Sequence, residues 1–158
     1  MKKTILYKTD IEKQKDLTLF VNIIYNNFIE LSDDKKLMHT PEKIEESLRK
    51  DNSVIILFTN DDDKVIGFLT ANIMILDDRR KVLYISYIYV AEITRNNKLG
   101  STLLQEAEKT AIFNKCNGIM LIFDTHKHNL TRFYENRGYM LDINLRRFER
   151  NDVFYKIL

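Results

Sequence analysis

Four residues near the middle of the chain could bind an anion. Arg95 and Lys98 carry positive charge, and Gly100 and Ser101 follow them closely. The segment lies between a run of apolar, β-branched residues and a stretch whose apolar residues recur at helical spacing. A helix start offers free backbone N–H groups and the positive end of the helix dipole, and small residues allow a ligand to approach the backbone. This pattern predicts an anion site at a strand–helix junction, although an ordinary capped connection explains the segment equally well.

Composition restricts the class of protein. The chain has 158 residues, 44% of them hydrophobic and 30% charged, which predicts one domain over residues 1–158 with a sizeable core. A net charge of +2, with both signs interspersed, gives no reason to expect a nucleic-acid partner. The single cysteine, Cys116, excludes an internal disulfide and fits a reducing compartment. Apolar runs are too short for a membrane span or a signal-peptide core, so we expect no membrane association and a cytoplasmic location.

Apolar periodicity and turn residues divide the chain into strands and helices. Three strands joined by tight polar turns should form an antiparallel meander, and strand, helix and buried strand then form a right-handed βαβ unit. The predicted class is α/β (α+β) with a mixed sheet, in the order β-α-α-β-β-β-α-β-α-β-β. The predicted elements are Thr4–Lys8, a long helix that Asp10 can cap and that runs to about Leu31, Pro41–Lys50, Val54–Phe58, Val65–Leu76, Val82–Val90, Leu99–Asn114, Ile119–Phe123, Asn129–Asn136, Tyr139–Phe148 and Val153–Leu158.

Two motifs within this layout resemble those of the GNAT N-acetyltransferase superfamily. The stretch from Val90 to Ser101 looks like the family's pyrophosphate loop, Gln/Arg-x-x-Gly-x-Gly/Ala. Arg95 matches its first position and Gly100 its last, while Lys98 stands where the middle glycine is usual. The stretch from Leu130 to Tyr139 resembles the family's Ala-x-x-Phe-Tyr-Glu-x-x-Gly-Phe. Together, in the expected structural contexts, they indicate the family more strongly than either motif alone, and the element order is similar from end to end.

The resemblance implies acetyl-CoA as cosubstrate and no metal. In this family, two central parallel strands splay apart around the CoA site, and the backbone at the end of the first strand binds the pantetheine arm as an added strand would. Backbone N–H groups there can also polarise the thioester carbonyl. Carried over residue by residue, the implied coenzyme-binding residues are Ile88, Tyr89, Val90, Arg95, Asn96, Asn97, Lys98, Leu99, Gly100, Ser101 and Lys127.

Tyr134 is the catalytic residue that the resemblance implies. An amine attacks the acetyl thioester and the coenzyme leaves as a thiolate, whose thiol has an ordinary pKa of ~8.5 against ~10 for tyrosine. A phenol can therefore hydrogen-bond to the departing sulfur and protonate it. The competing interpretation makes Tyr134 a structural aromatic of its helix. Of the adjacent pair, we expect Phe133 to be the core member, so that Tyr134 points elsewhere.

The general base has no single candidate in the sequence. An alkylammonium has a pKa of ~10.4 and must lose a proton before it attacks. Many relatives carry an acidic residue where Ser86 or Tyr87 stands here. The alternatives are a water relay through Ser86 or Tyr87, and His126 or His128 in the loop after the fifth strand. A metal site at the two histidines has no companion ligand.

The remaining chemical groups are interpreted as packing or solvated surface. Cys116 follows a helix C-terminus, the wrong end of the dipole for activating a thiol, so we predict a packing role. Glu106, Glu108 and Lys109 are expected on the solvated face of their helix. Some carboxylates near the first two helices could attract a cationic amine, although solvated surface is the simpler interpretation. They are Asp33, Asp34, Glu42, Glu45 and Glu46.

Three functional hypotheses follow. The leading one is an acetyl-CoA-dependent N-acetyltransferase that acts on a primary amine, of a small molecule or a protein, by direct attack in a ternary complex. The second is a catalytically silent fold of the same family that binds acyl-CoA or a partner, which Lys98 and the missing strand carboxylate favour. The third is an unrelated α/β domain with a fortuitous loop. A homodimer is an expectation from the resemblance alone, since relatives are often dimers.

Overall fold

The structure is a computed structural model that describes residues 1–7, 17–29, 40–95, 98–124, 128–143 and 151–158. Strands and helices follow one another in the predicted order. They are β1 (Lys2–Tyr7), α1 (Leu17–Ile29), α2 (Pro41–Leu48), β2 (Ser53–Thr59), β3 (Val65–Ile75), β4 (Lys81–Val90), a 3₁₀ turn (Glu92–Thr94), α3 (Leu99–Phe113), β5 (Gly118–Asp124), α4 (His128–Glu135), β6 (Met140–Leu141) and β7 (Asn151–Ile157).

The strands form one mixed sheet in the spatial order β1-β2-β3-β4-β5-β7-β6. Neighbouring strands are antiparallel except β4 and β5, which are parallel and joined by α3. This arrangement confirms the α/β class, the antiparallel meander from β2 to β4 and the parallel neighbour of β4. It also confirms that the first strand lies at an edge of the sheet.

Two features differ from the sequence prediction. The 3₁₀ turn after β4 was not expected, and it is fixed to β3 because Thr94 Oγ1 lies 3.2 Å from the Ile66 carbonyl oxygen. The closing hairpin is antiparallel as predicted, but β7 rather than β6 lies next to β5. The strand predicted from Tyr139 is limited to Met140–Leu141 within the described residues. Positions 144–148 of that prediction lie outside them, as does the helix start predicted at Asp10.

Helices cover both faces of the sheet. On one face, α3 packs against β2 to β5 and buries Leu103, Leu104 and Ala107 completely or nearly so. On the other face, α1 and α2 pack against each other and enclose a second cluster with Ile24 and Ile44 at its centre. The core therefore consists of two layers, one on each side of the sheet, as amphipathic helices on a central sheet require.

The parallel strands β4 and β5 are paired over four positions only, the last being Ile85 opposite Leu121. Beyond this point β4 continues to Val90 paired with β3, while β5 continues to Asp124 paired with β7. The splayed central pair that the family resemblance implies is therefore present in the described strands.

A β-bulge lies where the two strands part. Along β3, Thr70 is opposite Tyr87 but Ala71 is opposite Ile85, so Ser86 is an extra residue in β4. A bulge bends its strand and increases the local twist. It also shifts the alternation of side chains, so that Ile85 and Ile88 both join the cluster beneath α3.

The prediction that Glu106 is solvated is wrong. Its side chain is buried in α3, and its carboxylate accepts hydrogen bonds from Lys109 Nζ at 2.8 Å and from Lys3 Nζ at 2.7 Å. These two bonds, that from Lys109 first, hold the pKa of Glu106 below its usual value of 4.5. Lys3 belongs to β1, about a hundred residues away in sequence, and helical periodicity carries no information about such a partner.

This ion-paired carboxylate makes the stability of the fold depend on pH. A lowered folded-state pKa stabilises the protein above the unfolded pKa near 4.5, and that contribution is lost as the pH falls through the folded value. We expect Glu106→Gln to lower the free energy of unfolding at pH 7 by about 1–3 kcal/mol, and by less at pH 3.5. Urea unfolding at both pH values measures this. The control is Glu135→Gln, at an exposed position of α4, and an equal effect of both substitutions at pH 7 would contradict the assignment.

Candidate active site

Lys98, which precedes α3, adopts a left-handed backbone conformation. Lys98 has φ 59° and ψ 7°, the left-handed conformation for which glycine is favoured. As the residue that caps α3, it accepts a hydrogen bond from Thr102 N–H at 3.0 Å through its carbonyl. The substitution of the usual glycine therefore adds a charge and some backbone strain without abolishing the left-handed turn. Asn96 and Asn97, predicted in the same site, lie outside the described residues.

Arg95 lies at the entrance to this loop. Its Nε–H donates to the Val90 carbonyl at 3.4 Å, and about half of its side chain is exposed. Glu92 Oε1 lies 4.0 Å from its Nη1, on a carboxylate that is itself almost fully exposed. An exposed pair of this kind contributes little energy, so the guanidinium can turn to an incoming anion at small cost.

The first turn of α3 lies directly against α4. A Cβ atom on Gly100 would be 3.3 Å from Phe133 Cζ and 3.8 Å from Val90 Cγ2, so a larger residue would require the Phe133 ring to shift by a few tenths of an ångström. Leu99 is buried beside it, and Ser101 Oγ accepts a hydrogen bond from Arg137 Nη2. Gly100 therefore keeps the backbone N–H groups of this helix start uncovered while the helix stays packed.

Tyr134 is the buried member of its pair, contrary to the sequence prediction. It is 5% exposed, whereas Phe133 is only partly buried at the edge of the same cluster. The Tyr134 ring centroid lies 4.8 Å from that of Phe123 and 5.2 Å from that of Phe133. Burial raises the pKa of Tyr134 to about 12, against a smaller opposite effect of Arg137. The hydroxyl therefore stays protonated at physiological pH, and it can act as a hydrogen-bond donor but not as a base.

A glycine cap places Tyr139 against Tyr134. Gly138 has φ 82°, its N–H donates to the Glu135 carbonyl at 2.9 Å, and Tyr139 N–H donates to the Tyr134 carbonyl at 3.2 Å. This is the bonding of a Schellman cap, whose usual apolar contact is made here by the two tyrosine rings, 5.8 Å apart. Tyr139 is completely buried, and its hydroxyl has no partner among the described residues.

The end of β4 presents one unpaired edge. Ile88, Tyr89 and Val90 are paired with β3 on one side, and no described residue of β5 pairs with them on the other. All three side chains are partly buried, so the free edge carries backbone groups flanked by apolar surface. Backbone N–H and C=O groups in such a setting need a partner, which water or an extended ligand can supply.

Ser86 and Tyr87, the candidates for a water relay, lie on the face covered by α1 and α2. Ser86 Oγ is 3.4 Å from Asn72 Oδ1, and Tyr87 is buried in the cluster of α1 and α2. Asn72 also donates to Ser53 Oγ at 3.0 Å and to the Ser47 carbonyl at 3.3 Å. The bulge therefore brings a chain of small hydroxyl and amide groups to the point where the strands part.

The other predicted candidates are less central. His128, predicted in a loop, is the exposed first residue of α4, while His126 and Lys127 lie outside the described residues. Cys116 is buried in the core beneath α3, where burial raises the pKa of its thiol. This position supports the packing role predicted for it.

The acidic group on α2 is solvated surface. Glu42, Glu45 and Glu46 line an open depression together with Arg49 and Lys50, and Glu45 is bonded to Arg49 Nη2 at 2.7 Å. Asp33 and Asp34 lie outside the described residues. Within the described ranges, no group of three or more potential metal ligands is found, and no helix is long and apolar enough to cross a membrane.

Sequence reasoning missed two residues of this region. Arg137 bridges α4 to the first turn of α3, and Asn72 bonds to the serine at the bulge. Arg137 lies inside the second motif, but at a position that the family pattern leaves open. Asn72 is an amide in the middle of a buried apolar strand, and that contrast is the signal that could have identified it.

Comparisons with known structures show proteins with a similar fold. The acetyltransferase of the GNAT family from Staphylococcus aureus Mu50 matches with a TM-score of 0.67 and 20% identity, covering 99% of both chains. The PaiA N-acetyltransferase of Thermoplasma acidophilum in complex with coenzyme A matches with a TM-score of 0.70 and 16% identity over 100% of both chains. The structure of the NatC complex bound to Gag peptide and CoA matches with a TM-score of 0.70 and 16% identity, covering 100% of this chain and 99% of the matched chain.

These identities are low enough that the structural matches show the fold alone. No curated protein matches the sequence at a significant level. The model of the acetyltransferase (GNAT) family, in contrast, matches residues 21–139, which include both motifs and the splayed strands. The chain therefore belongs to the GNAT family of acetyltransferases.

Proposed function

We propose that this protein is an acetyl-CoA-dependent N-acetyltransferase that transfers an acetyl group to a primary amine within a ternary complex. One observation carries the proposal. The gap between β4 and β5 opens beyond Ile85, with the uncovered start of α3 and the buried Tyr134 on the same side of the sheet. The chain belongs to an acyltransferase family, and this gives the reaction class. We propose in addition that the group transferred is acetyl and that the acceptor is a primary amine.

The residues around the gap fit acetyl-CoA. The edge of β4 from Ile88 to Val90 that β5 leaves open can bond to the amide groups of the pantetheine arm, as an added strand does, with the Val90 carbonyl exchanging its bond from Arg95 Nε–H. Pyrophosphate then lies at the start of α3, where the N–H groups of Leu99, Gly100 and Ser101 are free of helical partners. Arg95 and Lys98 supply positive charge beside it, and Asn96, Asn97 and Lys127 remain proposed contacts. The chemistry that the coenzyme supplies is an activated thioester.

Tyr134 donates a hydrogen bond to the departing sulfur in this proposal. A pKa of about 12 for its hydroxyl is some 3.5 above that of an ordinary thiol, so complete proton transfer to the thiolate is uphill by roughly 5 kcal/mol. A hydrogen bond that strengthens as negative charge develops on sulfur does not require this transfer. The residue then stabilises the leaving group chiefly as a fixed donor.

The amine approaches from the face of α1 and α2. The coenzyme occupies the side of α3 and α4, so the acceptor reaches the thioester from the opposite side of the gap. Ser86 lies there, and a water held by Ser86 and Asn72 is the proposed route for the proton of the ammonium. PaiA is named as an N-acetyltransferase, and the NatC structure contains a peptide. Both a small amine and a peptide amine therefore stay open as acceptors.

The second candidate, a catalytically silent member that binds acyl-CoA or a partner, is favoured by one observation. No carboxylate is found on β4, where many relatives place an acidic residue. The single domain over residues 1–158, the homodimer and the cytoplasmic location stay predictions.

Calorimetric titration with acetyl-CoA, and in parallel with CoA, tests the binding half of the proposal. We expect roughly stoichiometric binding with a Kd on the order of micromolar, since backbone and charged groups are already arranged around the gap. Absence of heat at millimolar ligand would contradict the coenzyme site. Binding without release of thiol, over a panel of polyamines, aminoglycosides, amino acids and peptides, would instead favour the silent member.

Lys98→Gly separates the charge of Lys98 from its backbone conformation. Relief of left-handed strain, about 1–2 kcal/mol, is partly offset by the greater entropy of unfolded glycine, so the free energy of unfolding should stay within about 1 kcal/mol of wild type. Loss of the charge should raise the Kd for CoA roughly threefold to tenfold, and less at high salt.

The matched control is Lys115→Gly. Lys115 has φ 57° and lies beyond the other end of the same helix, about 22 Å away along its axis. It should show the same change in stability with an unchanged Kd. Equal Kd values for the Lys98→Gly variant and wild type would exclude a role of Lys98 in binding the coenzyme.

Tyr134→Phe tests the proposed hydrogen bond from the Tyr134 hydroxyl to the departing sulfur. We expect kcat for thiol release to fall about a hundredfold or more, because a fixed hydrogen bond to the leaving group is lost, while the Kd for CoA changes less than about twofold. The matched control is Tyr139→Phe, which removes a hydroxyl from the neighbouring ring, where that group has no described partner. A similar kcat for both variants would remove Tyr134 from the mechanism.

A further inference from the structure

Arg137 connects the two helices that flank the candidate coenzyme site. Its Nη2 donates to Ser101 Oγ in the first turn of α3, and its Nη1 donates to the Phe133 carbonyl of α4 at 2.6 Å. Its guanidinium carbon lies 3.8 Å from the centroid of the Phe133 ring. The side chain is partly buried, and no carboxylate among the described residues is paired with it. Its donors are therefore directed at the junction of the helices rather than at a surface ion pair.

The same junction contains the two groups that the proposed reaction must align, which are the start of α3 and the hydroxyl of Tyr134. Ser101 belongs to the helix start that faces the pyrophosphate, and Phe133 precedes Tyr134 in the chain. The Phe133 ring also lies against Gly100, where an added Cβ atom would be 3.3 Å from Phe133 Cζ. One planar guanidinium thus bonds to α3, bonds to α4 and covers the ring between them. Neither a lysine nor an apolar residue of equal length can make all three contacts.

We infer that Arg137 is a positioning residue, which fixes the helix of Tyr134 relative to the coenzyme-binding turn of α3. The inference rests on the proposed function, since it takes the start of α3 as the phosphate site. When phosphate binds and orders that turn, Arg137 passes the ordering to α4 through Ser101. The donor on Tyr134 is then held at the distance from the phosphates that the pantetheine arm spans.

The experiment uses a ligand that cannot reach Tyr134. The probe is 3′-phosphoadenosine 5′-diphosphate, which carries the phosphates of the coenzyme but no pantetheine arm. Amide hydrogen exchange of the whole protein is measured by mass spectrometry with and without millimolar probe, for wild type and for Arg137→Met. Methionine keeps length and apolar contact with Phe133 but makes neither hydrogen bond.

We expect the probe to slow exchange in wild type both in residues 98–104 and in residues 128–135, by about fivefold or more. In Arg137→Met, the slowing in residues 98–104 should persist, while that in residues 128–135 should fall below about twofold. Ser101→Ala breaks the same contact from the other helix and should reproduce this pattern, which covers the case in which Arg137→Met fails to fold. Arg132→Met, at an exposed position of α4, removes one charge from the same helix and should behave as wild type.

Three outcomes overturn the inference in distinguishable ways. Unchanged slowing in residues 128–135 of both Arg137→Met and Ser101→Ala would show that α4 is ordered without this bridge. Loss of slowing in residues 98–104 of Arg137→Met would make Arg137 a phosphate ligand instead of a positioning residue. If neither the probe nor acetyl-CoA slows exchange in residues 98–104 of wild type, the proposed function itself fails, and the inference fails with it.

Discussion

The backbone of β4 beyond Ile85 has hydrogen-bonding groups on one side that no described strand satisfies, and the rest of the site depends on this edge. Ordinary sheets avoid such an edge in the interior because unpaired peptide groups are costly to bury. Here the bulge at Ser86 turns β4 away from β5, and α3 and α4 fill the space on one face. The gap is therefore built into the strand register.

Two left-handed residues then determine how the helices meet the gap. Lys98 begins α3 and Gly138 ends the turn after α4, each with positive φ. The first leaves the N–H groups of the helix start facing outward, and the second folds Tyr139 back under Tyr134. Because both turns are local, each is readable in sequence as a motif, even though the close contact between Gly100 and Phe133 that joins them is not local.

The sequence correctly predicted features that depend on residues close together in the chain. Strand and helix order and the parallel neighbour of β4 follow from periodicity and turn residues, and the structure confirms both. The coenzyme loop was instead predicted from the resemblance of the stretch from Arg95 to Gly100 to the family motif. The errors concern contacts between distant segments. Glu106 is buried because Lys3 reaches it from the edge strand. Tyr134 is buried in place of Phe133 because the ring of Phe123, in β5, lies against it with the ring centroids 4.8 Å apart. Helical spacing reports which side of α4 is apolar, but not which of two adjacent aromatics the neighbouring elements enclose.

The same burial divides the proposed chemistry between the two faces of the sheet. Tyr134 lies in the cluster beneath α3, surrounded by aromatic rings, and an environment that raises its pKa to about 12 suits a donor that keeps its proton. Ser86 bonds to Asn72 on the face of α1 and α2, where hydroxyl and amide groups can hold water. Leaving group and nucleophile need opposite electrostatic surroundings, since one gains negative charge while the other must lose a proton. In the proposed reaction, the thioester carbonyl lies between these surroundings, in the gap that opens at the bulge where β4 and β5 part.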